Sequence, residues 1–281
     1  MLPPPPLLDR LILDWLAEDI GFVDRTTQAL KFGEGVSVAK WLLKGEGVVC
    51  GLTIAQRVFE LLDPQSRFII SCQEGQWLEQ GKILCTIEGK TAALLMGERV
   101  ALNCVMRLSG ISTTTYQLVT EIRDLPAQLV DTRKTTPGLR ALEKYAVLVG
   151  GGKNHRCRLD EAVIIKDNHI RAVGSITQAV YQVRQRLPIT TMIEVEVETL
   201  DQVEEALALE VDIIMLDNMN LASMQTAVEM IRCSNPHTKI EASGNITIDN
   251  IRSVAELGVD YISTSAMMSR SPWLDISMKF L

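Results

Sequence analysis

No CxxC pair occurs in the 281 residues, and the six cysteines (Cys50, Cys72, Cys85, Cys104, Cys157 and Cys233) are scattered, so neither a zinc site nor a disulfide framework is signalled. Reduced, mostly buried thiols in a cytoplasmic protein are expected instead. The chain also lacks any run of eighteen uncharged apolar residues, which excludes a simple membrane-spanning helix. In the opening stretch, MLPPPPLLDRLILDWLAEDIG, Asp9, Arg10 and Asp14 interrupt the apolar residues, and neither a cationic n-region nor a cleavage-type site appears. A soluble, unexported protein is therefore expected. Positive charge is scarce as well. With 28 Lys and Arg against 35 Asp and Glu the net charge is -7, which argues against general affinity for nucleic acid or membrane surfaces.

What is present reads as an ordinary globular composition, 47% hydrophobic and 22% charged, long enough to bury a sizeable core in one large or two modest domains. Pro3 to Pro6 form a stiff extended leader before a helix marked by Leu8, Leu11, Ile12, Trp15 and Leu16. Strand-like VSVAKWLL and GVVCGL follow, then an amphipathic helix from Thr53 to Leu62. RFIISCQEGQWLEQGKILCTIEG reads as short strands punctuated by Gly75, Gly81 and Gly89. It resembles a lipoyl or biotinyl carrier hammerhead but lacks a suitably flanked lysine. A long helix carrying Arg99 runs from Thr91 to Asn103 and resumes after LSG.

From about Ala127 the rhythm becomes strand then helix, repeated. The strands AQLVDT, AVIIKD, TMIEVEV, VDIIMLD, TKIEAS and VDYISTS are short apolar runs spaced for crossover helices, the pattern of a parallel sheet. With at least six such units, closure into a barrel is favoured over an open doubly wound sheet. A parallel barrel gathers its strand ends at one face, where barrel enzymes carry their chemistry.

Those ends are unusual for an acidic chain. Between Asp131 and His169 eight cations stand against five acids, so the window is +3 and the remainder of the chain -10. Like charges a few ångströms apart cost on the order of 1 to 4 kcal/mol per pair near a protein surface. Arg133, Lys134, Arg156 and Lys166 on one face thus call for anions, and arginine's planar fork suits carboxylates and phosphates. A substrate with more than one carboxylate is one fit, phosphate groups another. His155 either donates to such a ligand or is structural. Glu194 and Glu196 alternate in one strand and share a side. With Asp217 they offer carboxylates to Mg2+ or to positive charge developing on a sugar carbon. For Glu194 the alternative is a pairing with a buried lysine. In EASGNITIDN, Ser243, Gly244 and Asn245 join a strand to a helix capped by Thr247, where backbone N–H groups suit a phosphate; a plain turn is the alternative. Ser263, Thr264 and Ser265 form the neighbouring loop.

DTRKTTPGLRALEKYAVLVGGGKNHR, KDNHI, EVEVET, LDN, EASGNI and GVDYIS, together with EDIG, DRTT and GERVALN, resemble the quinolinate phosphoribosyltransferase family along nearly the whole chain. The resemblance implies phosphoribosyl transfer from phosphoribosyl pyrophosphate to quinolinate with decarboxylation and Mg2+. It implies that Arg133, Lys134, His155, Arg156 and Lys166 hold the quinolinate carboxylates and the pyrophosphate. Glu196 and Asp217 would lie near the ribose and metal, and Ser243 and Gly244 at the 5-phosphate. It further implies a homodimer, or a higher oligomer built on it, in which Arg99 reaches the neighbouring subunit's site. The fold carried over is an incomplete parallel α/β barrel, residues 111–281, with an N-terminal α/β sandwich domain, residues 1–110, joined by the C-terminal tail. Two departures stand out. Ser265 occupies a position where the family usually has glycine, and Phe22-Val23 replaces a small-residue pattern. Molybdenum-transport-associated relatives, nicotinate phosphoribosyltransferase and a non-catalytic sensor are the competing readings.

Overall fold

Apolar runs too short to make helices become strands, and the amphipathic stretches between them become the helices that cover them. The computed structural model describes residues 2–32 and 34–281. In chain order its elements are α1 (Pro5–Ile20), α2 (Arg25–Leu30), β1 (Val36–Leu43), β2 (Gly47–Val48), α3 (Leu52–Leu62), β3 (Arg67–Ile70), β4 (Trp77–Leu78), β5 (Ile83–Lys90) and α4 (Thr91–Ile122). Next come β6 (Gln128–Val130), α5 (Arg140–Val149), β7 (Val163–Ile165), α6 (Asp167–Val173), α7 (Ile176–Arg184), β8 (Ile193–Val197) and α8 (Leu200–Ala208). The chain ends with β9 (Ile213–Asp217), α9 (Leu221–Ser234), β10 (Lys239–Ser243), α10 (Ile251–Ala255), β11 (Tyr261–Ser263), α11 (Ala266–Ser269) and β12 (Ile276–Phe280).

Contacts divide the chain into two compact units, one made of Met1–Tyr116, Thr136–Gly151 and Arg270–Leu281, the other of Gln117–Thr135 and Gly152–Ser269. The single cut expected at residue 110 leaves α5 on the far side; its contacts group it with the first unit.

The first unit holds an antiparallel sheet in the order β12-β1-β5-β3, so the end of the chain pairs with β1, Ala39 opposite Phe280. Trp41 of β1, Phe59 of α3 and Phe68 of β3 meet with ring centroids 6.1 to 6.4 Å apart. Two edge-to-face pairs and one stack seat the helix on the sheet. Three local expectations are corrected here. Helix α1 begins at Pro5, so only Pro3 and Pro4 precede it, because proline's fixed φ and missing N–H are tolerated in a first helical turn. Gly89 lies inside β5 opposite Ser37 instead of ending a strand. Helix α4 runs through Ser109 and Gly110 unbroken, and Gly110 is there for space, since a Cβ would collide with the Pro272 carbonyl.

The second unit is built on six strands, all parallel, in the order β6-β11-β10-β9-β8-β7. All six expected strands are present. Sequence-first β6 neighbours sequence-last β11, and among the described residues no ladder joins β6 to β7; only Lys153 bridges to Val130 there. The sheet is thus an incomplete ring of parallel strands. Helices α7, α8 and α9 are capped by Ser175, Thr199 and Asn220, whose side chains accept backbone N–H groups of the first turn. Helix α10 departs from expectation. It begins at Ile251 rather than after Thr247, because the Asn250 side chain accepts from the Thr247 N–H at 2.8 Å and holds a turn in between.

Candidate functional site

Strand register builds the site. Asp217 pairs with Ser243, and Ser243 with Ser263, so the last residues of β9, β10 and β11 form one row along the carboxyl edge. One step deeper, Glu196, Met215 and Glu241 form a second row. Residues two apart on a strand share a face, so both rows line the same cavity. It measures about 460 Å³ and is lined by Arg133, Lys134, His155, Arg156, Lys166, Glu196, Asp217, Asn218, Glu241, Ser243, Gly244, Asn245 and Ser263, among others. A smaller cavity of about 220 Å³ in the first unit holds Arg107, but that guanidinium is committed to Glu143 and Ser271. Only the larger cavity gathers a group of cations.

The structure thus brings together Arg133, Lys134, His155, Arg156, Lys166, Glu196, Asp217, Ser243, Gly244, Asn245 and Ser263. Thr264 and Ser265 do not line the cavity. The Thr264 hydroxyl donates to the Ile246 carbonyl at 3.2 Å and accepts from the Ala266 N–H at 3.1 Å. Ser265 is absent from the residues with left-handed φ, so no glycine is demanded at its position. Arg99 is exposed on α4 in the first unit and is not part of the lining.

The cations meet the protein's own anions first. The Lys166 ammonium bonds the Glu196 carboxylate, which is 8% exposed. Arg156 donates to the Ala162 carbonyl at 2.6 Å; burial and the neighbouring Arg133 guanidinium pull it below its ordinary value. Repulsion within the cluster is therefore partly offset before any ligand arrives. Glu194 departs from the lysine pairing weighed for it. Its Oε2 faces His155 Nε2 at 3.0 Å, and Glu241 Oε2 faces the same nitrogen at 3.4 Å.

His155 is held on all sides. Its backbone N–H donates to Asp131 at 2.9 Å, and its Nδ1 accepts from the Arg156 N–H at 2.7 Å. That last contact uses the Nδ1 lone pair, so it belongs to the neutral ring with its proton on Nε2, and the charged ring gives it up. Burial works against a charged ring, but the two carboxylates outweigh it and push the imidazole up to about 10. Burial likewise pushes the Glu194 carboxyl above its ordinary range, with His155 opposing. Among the described residues, His155, Glu194 and Glu241 are the one group whose ligand atoms fall within 4.8 Å of one another. Their facing atoms pair with one another, although Glu194 Oε1 and Glu241 Oε1 are buried without a hydrogen-bond partner among the described residues, and a nitrogen donor suits Mg2+ poorly. Glu196 and Asp217 offer hard oxygens toward the cavity, the donor type Mg2+ prefers.

The polar lining residues Asp131, Thr132, Asn218 and Glu241 were given no site role from the sequence. Glu241 sits two residues before Ser243 in β10, and the alternation that revealed Glu196 would have found it. Asn218 carries no such signal.

The family described as quinolinate phosphoribosyl transferase matches this chain in both parts, the N-terminal domain over residues 24–109 and the C-terminal domain over residues 111–279. A Synechocystis protein named "Probable nicotinate-nucleotide pyrophosphorylase (carboxylating)" is 52% identical over 280 residues, covering 100% of this chain and 95% of that protein. The carboxylating nicotinate-nucleotide pyrophosphorylase of Mycobacterium leprae is 38% identical, covering 94% and 93%. The crystal structure of NadC from Streptococcus pyogenes superposes with a TM-score of 0.94 at 41% identity, over 100% of this chain and 99% of that one.

Proposed function

The chain belongs to the quinolinate phosphoribosyltransferase family, and on that premise we propose that it transfers the phosphoribosyl group of phosphoribosyl pyrophosphate to quinolinate. The products are nicotinate mononucleotide, pyrophosphate and carbon dioxide, a step of de novo NAD biosynthesis. One observation carries this reading: a single cavity holds Arg133, Lys134, Arg156 and Lys166, the carboxylates of Glu196 and Asp217, and the Ser243-Gly244-Asn245 loop.

Each part then has a role. The cations neutralise the two quinolinate carboxylates and the departing pyrophosphate. The loop residues Ser243, Gly244 and Asn245, with Ser263 beside them, face the 5-phosphate. As the bond from ribose C1 to the pyrophosphate oxygen breaks, C1 gains oxocarbenium character, which Glu196 and Asp217 stabilise. The quinolinate nitrogen forms the new bond to C1 and becomes formally cationic. Breaking the adjacent bond to the carboxylate releases carbon dioxide and leaves an electron pair at C2, which the neighbouring cationic nitrogen stabilises until C2 takes a proton. Glu196 and Asp217 would hold Mg2+ through its waters, where it would neutralise pyrophosphate charge.

The proposal extends to assembly and place. The working unit is a homodimer in which Arg99 enters the neighbouring subunit's cavity. It acts in the cytoplasm, where its free thiols persist.

Ribosyl transfer must precede decarboxylation on this account. Quinolinate labelled in the carboxyl group next to nitrogen should release carbon dioxide only when phosphoribosyl pyrophosphate and Mg2+ are both present. Release with no phosphoribosyl donor would overturn the order.

A further inference from the structure

Asn218 stands where two strand ends meet. It follows the last residue of β9, and its backbone N–H donates to the carbonyl of Ser243, the last residue of β10, at 3.0 Å. Its side chain works in both directions. The amide Nδ2 donates to Asp217 Oδ2 at 2.7 Å, while Oδ1 accepts from Asn245 Nδ2 at 3.1 Å.

The backbone here is left-handed at three residues. Asn218 has φ +54°, Asn245 φ +52° and Gly244 φ +91°. Left-handed conformations are sterically unfavourable for an ordinary residue, and asparagine is among the few that adopt them readily. Two asparagines and a glycine, the residue types that accept this backbone most readily, stand together here, so the sequence is suited to the geometry. Gly244 shows why. A Cβ there would collide with Asn218 Oδ1 and lie 2.6 Å from its Cγ and 2.8 Å from its backbone nitrogen. The Asn218 side chain occupies the space that a side chain at 244 would need, so the two strand ends are fitted to each other.

We propose that Asn218 is a positioning residue for the transfer, resting on the function proposed above. It fixes the direction of the Asp217 carboxylate and the place of the 243–245 loop relative to each other. The group facing the ribose and the groups facing the 5-phosphate are thereby set to the span of one sugar phosphate. Asn218 itself need not touch the substrate. Quinolinate, held by cations from other loops, is not addressed by this link.

Two variants test it. Asn218→Gly keeps the left-handed backbone and deletes both side-chain links. Asn218→Asp keeps the length, the left-handed tolerance and the acceptor toward Asn245, but loses the donor to Asp217 and adds a like charge beside it. Calorimetric titration with phosphoribosyl pyrophosphate and Mg2+ should show Asn218→Gly binding at least roughly tenfold more weakly, with quinolinate affinity within about twofold of the parent. Asn218→Asp should lose kcat by roughly tenfold or more while its unfolding midpoint holds. Parental affinity and turnover in both variants would overturn the proposal alone. So would equal weakening of both ligands accompanied by a lowered unfolding midpoint, which marks a merely structural residue. A parent protein that binds no phosphoribosyl pyrophosphate would overturn the functional reading and this proposal with it.

Discussion

His155 shows how one side chain is defined by its neighbours. Glu194 and Glu241 are 3% and 1% exposed, and both turn an oxygen to its Nε2. Its pKa in the fold, about 10, lies above the ordinary imidazole value of 6.5. A raised value means that protonation and folding favour each other. The stabilisation is complete below about pH 6.5 and is lost as pH rises toward 10. His155→Gln removes that dependence. In urea unfolding, the stability advantage of the parent over the variant should therefore shrink steadily between pH 6.5 and 10. An advantage constant across that range would contradict the charged-ring account. The same scale explains how an acidic chain keeps a cationic pocket: Glu196 answers Lys166, and the ligand supplies the rest.

At the scale of elements, the six parallel strands were legible because each is a largely apolar run ending in chemistry-bearing residues, the pattern a parallel sheet favours. Glu196 and Asp217 followed from the same pattern. Where α10 begins was not legible, since Thr247 and Asn250 are both good caps and only the Asn250 side-chain bond decides between them. Nor was the Asn218–Asn245 link, because left-handed backbone leaves no periodic trace in sequence. The partners of His155 were hidden for another reason: they lie on strands far apart in the chain. A different junction joins α4 to α5. Arg107 Nη2 meets Glu143 at 2.7 Å, and the fully buried carboxylate also accepts the Thr136 N–H at 3.0 Å and its hydroxyl at 2.8 Å. Removing one partner of a buried ion pair leaves the other uncompensated, so Glu143→Ala should cost about 3 to 5 kcal/mol in urea unfolding. A loss under about 1 kcal/mol would show that the junction carries little of the stability.

For the whole molecule, Arg99 is the test of assembly. It is exposed on α4, and the cavity lining in the second unit does not contain it. On the proposed homodimer, mixing inactive Arg99→Ala and Lys166→Ala chains should restore part of the activity, because a mixed dimer would rebuild one intact site. Continued inactivity after subunit exchange would place Arg99 outside a shared site. The central claim concerns the reaction itself. Purified protein given quinolinate, phosphoribosyl pyrophosphate and Mg2+ should form nicotinate mononucleotide and carbon dioxide in equal amounts, and should form no mononucleotide when nicotinate replaces quinolinate. Turnover of nicotinate, or mononucleotide formed without matching carbon dioxide, would contradict it.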